Sequence, residues 1–180
     1  MDEAGPRIGR KSVGVDDALA SAFHALVERH WSAVLRFLFG MTGHVHDTED
    51  LAQETFLKAW QSRSSFRPGS NERAWLLRIA GNAYFDLRRR RQRRPAEPLV
   101  SEPVQSERHP AEALEAAERA SLLRAAVAEL SEVSRLVFQL RAVEELSYRE
   151  IGEIAGLTEE TARWHMGQAR RKLLLKLERI

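Results

Sequence analysis

Cysteine is absent from the 180 residues, which excludes a disulfide framework, a thiolate zinc site and a thiol redox switch within the chain. Long apolar runs are absent as well. No stretch approaches the roughly 18 to 20 apolar residues needed to span a bilayer, so neither a transmembrane helix nor direct membrane insertion is predicted. The first fifteen residues mix Gly5, Pro6, Gly9 and Gly14 with Arg7, Arg10 and Lys11 and have no signal-peptide core. They predict a disordered tail over 1–15 on a cytoplasmic protein. Gly-rich phosphate loops, Ser-x-x-Lys and His-Glu-x-x-His are also missing. His44, His46 and Asp47 hint at a metal or general base, but no third ligand cluster accompanies them. The expectation is a protein that is not an enzyme, with no cofactor, resident metal or small-molecule substrate.

What is present is charge, and it is segregated. A net charge of +2 hides two basic blocks. Residues 73–94 hold eight basic residues against one acid, Asp86, and 161–180 hold six against Glu178, while 95–160 hold 14 acids and six bases. Two compact cationic blocks separated by an acidic stretch point to two places where a polyanion is touched, with nucleic acid the leading candidate.

Four of the six prolines, Pro95, Pro98, Pro103 and Pro110, fall within 95–110 among Glu, Ser and Val, which reads as a flexible linker. Extended, its sixteen residues reach roughly 50 to 60 Å. Each flanking half is small enough that its own core supplies only a few kcal/mol, so marginal stability or a stabilising partner is expected. In the first half, Phe23, Leu26, Val27, His30, Trp31, Val34, Leu35 and Leu38 follow helical spacing and predict an amphipathic helix over 16–40, broken by Gly40 and Gly43. Asp47 is the expected N-cap of the next helix, with Asp50 at the capping-box position. Leu51, Thr55, Phe56, Ala59 and Trp60 line one face of that helix, and Glu49, Gln53, Glu54 and Lys58 the other. A third helix buries Leu76, Ile79, Ala80, Ala83 and Leu87 and shows Arg78, Asn82, Asp86 and Arg89. With no sustained period-two alternation, the fold class is all-α: two small helical domains joined by the linker.

The second half reads as helices over 111–129, 132–144, 148–154 and 159–177. Ser147 and Glu150 form a capping box, Gly156 supplies a turn that a side chain would strain, and Thr158 caps the last helix. Gly152 permits close approach of the two helices. Ala162, Met166, Ala169, Leu173 and Leu177 form the buried stripe of 159–177. This is a helix-turn-helix with 159–177 in the recognition position.

The chemistry follows from these placements. Arg88, Arg89, Arg90, Arg91, Arg93 and Arg94 crowd six guanidinium groups at one helix end, where a phosphate backbone would neutralise them and release counterions. Asn82 and Asp86 lie one turn apart beside them, near Trp75, Tyr84 and Phe85. Polar groups for base edges, rings for stacking and a cationic flank suit single-stranded recognition, although some of these rings must be core. Thr161, Arg163, Trp164, His165 and Gln168, with Arg170, Arg171 and Lys172 beyond, suit an element entering a major groove. Glu159 and Glu160 favour the helix N-terminus and repel phosphate unless they accept from a cytosine amino group.

The run Asp47-Thr-Glu-Asp-Leu-Ala-Gln-Glu-Thr-Phe-Leu-Lys-Ala-Trp60, the segment Ala74-Trp-Leu-Leu-Arg-Ile-Ala-Gly-Asn82 and the stretch Gln168-Ala-Arg-Arg-Lys-Leu173 resemble, in this order, the extracytoplasmic-function sigma factors of bacterial RNA polymerase. The resemblance covers about 16–94 and 111–178. It implies a region 2 over 16–94, which binds core polymerase and the minus-10 element, and a region 4 over 111–180, which reads the minus-35 element. By motif position it implies that Asp50, Leu51, Gln53 and Glu54 contact a beta-prime coiled coil, with the beta flap as a second polymerase contact. It places Phe66, Asn71, Arg78, Asn82, Asp86, Arg88, Arg89, Arg90 and Arg91 at minus-10 DNA. It places Thr158, Glu160, Thr161, Arg163, Trp164, His165, Gln168, Arg170 and Arg171 at minus-35 DNA. In place of the Ser-Arg followed two residues later by Arg that many members carry, this chain has Trp164, His165 and Gln168. An anti-sigma factor is a further implied partner. The alternatives are a free-standing helix-turn-helix regulator, which needs neither the 48–62 surface nor Asn82, and a sigma mimic that titrates an anti-sigma factor, which needs no DNA-binding helix.

Overall fold

The structure, a computed structural model, describes residues 13–67, 69–93 and 111–177. The expected linker, and all of the expected tail before Val13, lie outside these. Seven α-helices make up the described chain, and no strand occurs among the described residues. They are α1 (Val13–Thr42), α2 (Val45–Gln61), α3 (Glu72–Gln92), α4 (Ala111–Ala128), α5 (Glu132–Phe138), α6 (Tyr148–Ala155) and α7 (Glu159–Leu177). A 3-10 turn, Arg63–Ser65, follows α2, and a π-helical turn, Gln139–Val143, extends α5.

In the first half α1, α2 and α3 pack against one another. Val34, Phe37, Leu38 and Met41 of α1 meet Leu51, Ala52, Phe56 and Ala59 of α2 and Leu76, Ala80 and Ala83 of α3. The α1 helix does not end at Gly40. It runs through to Thr42, and the left-handed backbone that stops it is at Gly43, with φ +72°. The start of α2 also differs from expectation. His44 is its N-cap residue, and Asp47 sits inside the first turn with its carboxylate on Arg91 instead of on the helix's own N–H groups.

In the second half the expected capping box forms: Ser147 N–H donates to Glu150 at 2.9 Å, and Glu150 N–H donates to Ser147 Oγ at 3.3 Å. Gly156 ends α6 in the left-handed region at φ +67°. A Cβ at Gly152 would lie 2.7 Å from the Leu157 carbonyl oxygen, so the tight turn into α7 requires its absence. Thr158 Oγ1 accepts from Thr161 N–H at 3.1 Å and caps α7.

The halves share one core. Leu136, Val137, Leu140, Leu146, Ile151, Ala162 and Met166 of the second half join the cluster built on α1–α3. Among the described side chains, the second half's separate cluster is Ala126, Val127, Leu130, Ala169 and Leu173. This explains why α3 is buried on more than its expected stripe. Trp75, Leu77, Gly81 and Tyr84 are buried too, because α6, with Leu136 of α5 beside Gly81, covers a second face of α3.

Candidate nucleic-acid interface

The two faces of α3 are chemically opposite. Leu76, Ala80 and Ala83 are fully buried, while Arg78 and Asn82 are exposed along the outer face. Asn82 is thus free of the core and positioned by it. Of the three nearby aromatics, Trp75 and Tyr84 are core residues at 9% and 3% exposure and Phe85 packs partly buried against them. Burial pushes the Tyr84 phenol up from its ordinary value. These rings brace the helix and leave little face for a base.

The arginine run is not a bare cationic patch. Arg91 makes a two-pronged pair with Asp47 at 2.7 and 2.6 Å. The hydrogen bond from Arg91 holds the Asp47 carboxyl below its ordinary value against the opposing effect of burial. Arg90 reaches Glu54 at 3.5 Å, Arg89 pairs with Asp86, and Arg88 Nε donates to Glu132 at 2.6 Å. Asp86, expected at the DNA, is therefore engaged by Arg89 and by Lys58 at 3.7 Å. Exposed pairs of this kind contribute at most about 1 kcal/mol, so phosphate can take over Arg89 and Arg90. Arg91 is tied to the α2 start as a structural strut.

Before α3 lies an open cleft of about 440 Å³ lined by Arg29, His30, Phe66, Asn71, Glu72 and Arg73. It brings together Phe66 and Asn71, expected from sequence, with Arg29 and His30, which were not. Phe66 packs on Trp75 with ring centroids 5.1 Å apart. Glu72 accepts from Arg29 at 2.6 Å and lies 3.1 Å from His30 Nε2. Those partners, His30 foremost, hold its carboxyl below the ordinary range. Asn71 is the N-cap of α3: its Oδ1 accepts from Ala74 N–H at 3.1 Å, and its Nδ2 donates to Glu150 at 2.7 Å. Burial pushes Glu150 up, but hydrogen bonds from Ser147 and Asn71 outweigh it and hold the carboxyl below its ordinary value. No helical pattern singles out Arg29 or His30, since His30 sits within the apolar stripe of α1 and its side chain is 13% exposed.

On α2, Asp50 and Gln53 are exposed, and Glu54 is half-buried with Lys58 at 2.7 Å. Leu51 is 2% exposed in the core. It supports this face from inside and offers no surface to a partner, because its position falls on the buried stripe.

The α7 face presents Glu160, Arg163, Trp164, Arg170 and Arg171 outward, with Trp164 57% exposed. Arg163 pairs with Glu159 and stacks 4.6 Å over the Tyr148 ring. Thr158 and Thr161 bond each other at 2.7 Å and serve the cap. His165 is turned inward: its Nδ1 lies 3.1 Å from Ser134 Oγ on α5, so its ring braces the helix pair. Gln168 is half-buried. Among the described residues no three His, Asp or Glu side chains gather as a metal site, and no helix is long and apolar enough to cross a membrane.

Two family models match separate stretches of the chain. The family model for sigma-70 region 2 matches residues 26–94, and that for sigma-70 region 4 matches 120–173. The chain is 34% identical over 164 residues to the ECF RNA polymerase sigma factor SigE of Mycolicibacterium smegmatis, covering 88% of this chain but only 62% of that protein. It is 30% identical over 171 residues to the ECF RNA polymerase sigma factor SigL of Mycobacterium tuberculosis, covering 93% and 95% of the two. Among solved structures it resembles the sigma factor RpoE in complex with the anti-sigma factor NepR from Bartonella quintana, with a TM-score of 0.71 and 25% identity over 87% of this chain and 97% of that one.

Proposed function

The chain belongs to the extracytoplasmic-function group of the sigma-70 family, and from that premise we propose that it is a non-enzymatic, cytoplasmic promoter-specificity subunit of bacterial RNA polymerase. In this reading 16–94 serves as region 2, 95–110 as linker and 111–180 as region 4. The observation that carries the reading is the coexistence of two outward recognition faces. The α3 face carries Arg78 and Asn82, and the first turns of α7 carry Arg163 and Trp164. A free-standing repressor needs only the second.

The division of labour follows from chemistry. Exposed Asp50 and Gln53 with Glu54 offer an acidic, amide-bearing surface to a basic coiled coil of the polymerase, where opposite potentials steer encounter and fix register. Asn82 and the Phe66–Asn71 cleft capture unpaired minus-10 bases. Binding that favours the unpaired strand drives melting without ATP, supplying the few kcal/mol that unstacking requires. Arg163 and Trp164 meet the minus-35 duplex with Thr161 and Gln168 at their flanks, while Arg170 and Arg171 take phosphates. Thr158 and His165 act from behind, one as cap and one as brace. The similarity to a sigma factor in complex with an anti-sigma factor supports an inhibitor of that kind here, and the beta flap is proposed as a second polymerase contact.

Run-off transcription from a randomised promoter library, using purified bacterial core polymerase with and without the protein, tests the proposal. Protein-dependent transcripts with two shared upstream elements are expected. Duplex binding without any transcripts would move the chain to the regulator reading.

A further inference from the structure

Two glycines of the helix-turn-helix have opposite surroundings. Gly152 faces the Leu157 carbonyl oxygen so closely that a methyl group there would overlap it. Gly167 lies in the middle of α7, and among the described residues nothing comes within 4 Å of where its methyl group would be. Its backbone has no positive φ to call for glycine, and alanine suits a helix interior better. The packing around α7 thus gives no reason for glycine at this position. One helical turn to either side, at the spacings of three and four that share a face, stand Arg163 and Trp164 and then Arg170 and Arg171, all exposed. Gly167 is a notch at the centre of the outward face, ringed by long side chains. Beside it Trp164 is largely exposed and yet braced. Its ring meets the His165 ring edge-on, with centroids 4.9 Å apart. His165 Nδ1 in turn lies 3.1 Å from Ser134 Oγ, to which Ser131 Oγ donates at 2.9 Å. The indole is an apolar wedge supported from α5.

On the minus-35 reading of α7, on which this depends, we propose that Trp164 and Gly167 work as a wedge and a notch that select a thymine by its 5-methyl group. The major groove of B-DNA is about 12 Å wide, and an α-helix with its side chains is about 10–12 Å across. A helix that carries a tryptophan on its leading face therefore overfills the groove unless a neighbouring position gives way. Gly167 gives way. With no side chain there, the backbone of α7 comes close to the base edges and the indole reaches the groove floor beside it. The apolar feature on that floor is the thymine methyl, which suits a ring whose polar atom is a donor alone. Charge favours DNA over an apolar protein partner as the occupant of this face. Arg170 and Arg171 are exposed beside the notch, Glu159 is paired with Arg163, and only Glu160 opposes them among the residues that ring it. Arg163, stacked 4.6 Å over the Tyr148 ring, stands clear of the indole and keeps the notch open.

Holoenzyme made from the full chain and core polymerase, with the upstream element recovered from the randomised promoter library, provides the test. Each thymine of that element is replaced in turn by uracil, which removes the methyl group and nothing else, and holoenzyme binding is measured. One thymine should stand out, its replacement lowering affinity about fourfold, as the burial of one methyl-sized group predicts. With Trp164→Ala the same replacement should have no effect, because the methyl and the indole are coupled. Gly167→Ala should raise the thermal midpoint of the free chain by about 2–4 °C and yet lower holoenzyme affinity for the element about tenfold. A glycine of merely structural value would not move stability and affinity in opposite directions. An element with no sensitive thymine, or one equally sensitive in Trp164→Ala, overturns the methyl selection. A Gly167→Ala variant that melts earlier, or binds as well as the parent, overturns the notch. Unchanged promoter binding by Trp164→Ala overturns the wedge and gives the exposed indole to a protein partner. Absence of any protein-dependent transcript overturns the sigma-factor reading itself, and the pair's role with it, which keeps the two failures distinct.

Discussion

The first half of the molecule owns its core and the second half borrows one. Phe37, Leu38, Met41, Leu51, Leu76 and Leu77 are all buried at the α1–α3 junction, and the helices there enclose them from three sides. By contrast, among the described side chains the second half's independent cluster has five members, two of them alanine, while Leu136, Val137, Leu140, Ile151 and Met166 complete a core that belongs to the first. At roughly 25 cal/mol per Å² of apolar surface, a half with so few self-contained contacts cannot hold many kcal/mol by itself. Whatever separates the two halves must cover what it uncovers. In the proposed function, a polymerase surface that receives the second half would therefore have a stabilising task as well as a positioning one.

The most direct way to break this asymmetry is Phe37→Ala. Phe37 is fully buried, and its ring lies near Gly81 at the place where Leu136 approaches from the other half. Its loss should cost about 3–5 kcal/mol and lower the stability of both halves together, seen as one shifted transition in chemical denaturation. Two separated transitions would show that the cores are independent. Leu173→Ala probes the other side. In the small cluster of α4 and α7 it should cost about 2–3 kcal/mol, near the low end for buried leucine because that cluster is thin. Hydrogen exchange should then quicken in α4 and α7 and stay unchanged in α1–α3.

A functional contrast of smaller energy follows. Asn82 is exposed on α3, and Asn82→Ala should leave stability within about 0.5 kcal/mol while removing a base contact of roughly 1–3 kcal/mol. Permanganate footprinting should show promoter opening reduced about tenfold or more, with closed-complex formation by mobility shift little changed. An equal loss in both would argue against single-strand capture.

Much of this was legible in the sequence because it is local. The Ser147–Glu150 capping box, the Gly156 turn and the Ala162, Met166, Ala169 and Leu173 positions of the α7 stripe depend on neighbours within a few positions, and each forms where spacing placed it. What periodicity could not show is tertiary. Trp75, Leu77 and Gly81 are buried because α6, with Leu136 of α5 beside Gly81, covers a second face of α3, and one sequence stripe cannot announce a second partner. Gly40 looked like a helix stop, but α1 runs through it to Thr42, and the Gln139 side chain, ninety-nine positions away, lies against it. Asp47 looked like a cap, yet Arg91 claims its carboxylate. His165 looked like a base reader, yet Ser134 holds it. The arginine run showed its charge plainly and hid its partners, because Glu132, Glu54 and Asp47 come from other elements.

The smallest expected effect tests whether the first half's extra stability includes that last strut. The Asp47 carboxyl is held below its ordinary value of 3.8 chiefly by the hydrogen bond from Arg91, with His44 and His46 adding attraction when protonated and burial opposing. A carboxyl depressed in the folded state releases its proton more readily there than in the unfolded chain. The unfolded form therefore binds more protons in that window, and stability rises with pH. The pair's contribution is complete above the unfolded value near 4 and is lost as pH falls through the folded value. Arg91 is more than a third exposed, so solvent screening keeps the contribution to about 1 kcal/mol or less. Asp47→Asn should remove that much at pH 7 and make the variant's stability less steep below pH 4 than the parent's, measured by urea midpoints across the range. Parallel curves would mean that Arg91 is held by its own helix and that the α2–α3 contact owes nothing to the ion pair.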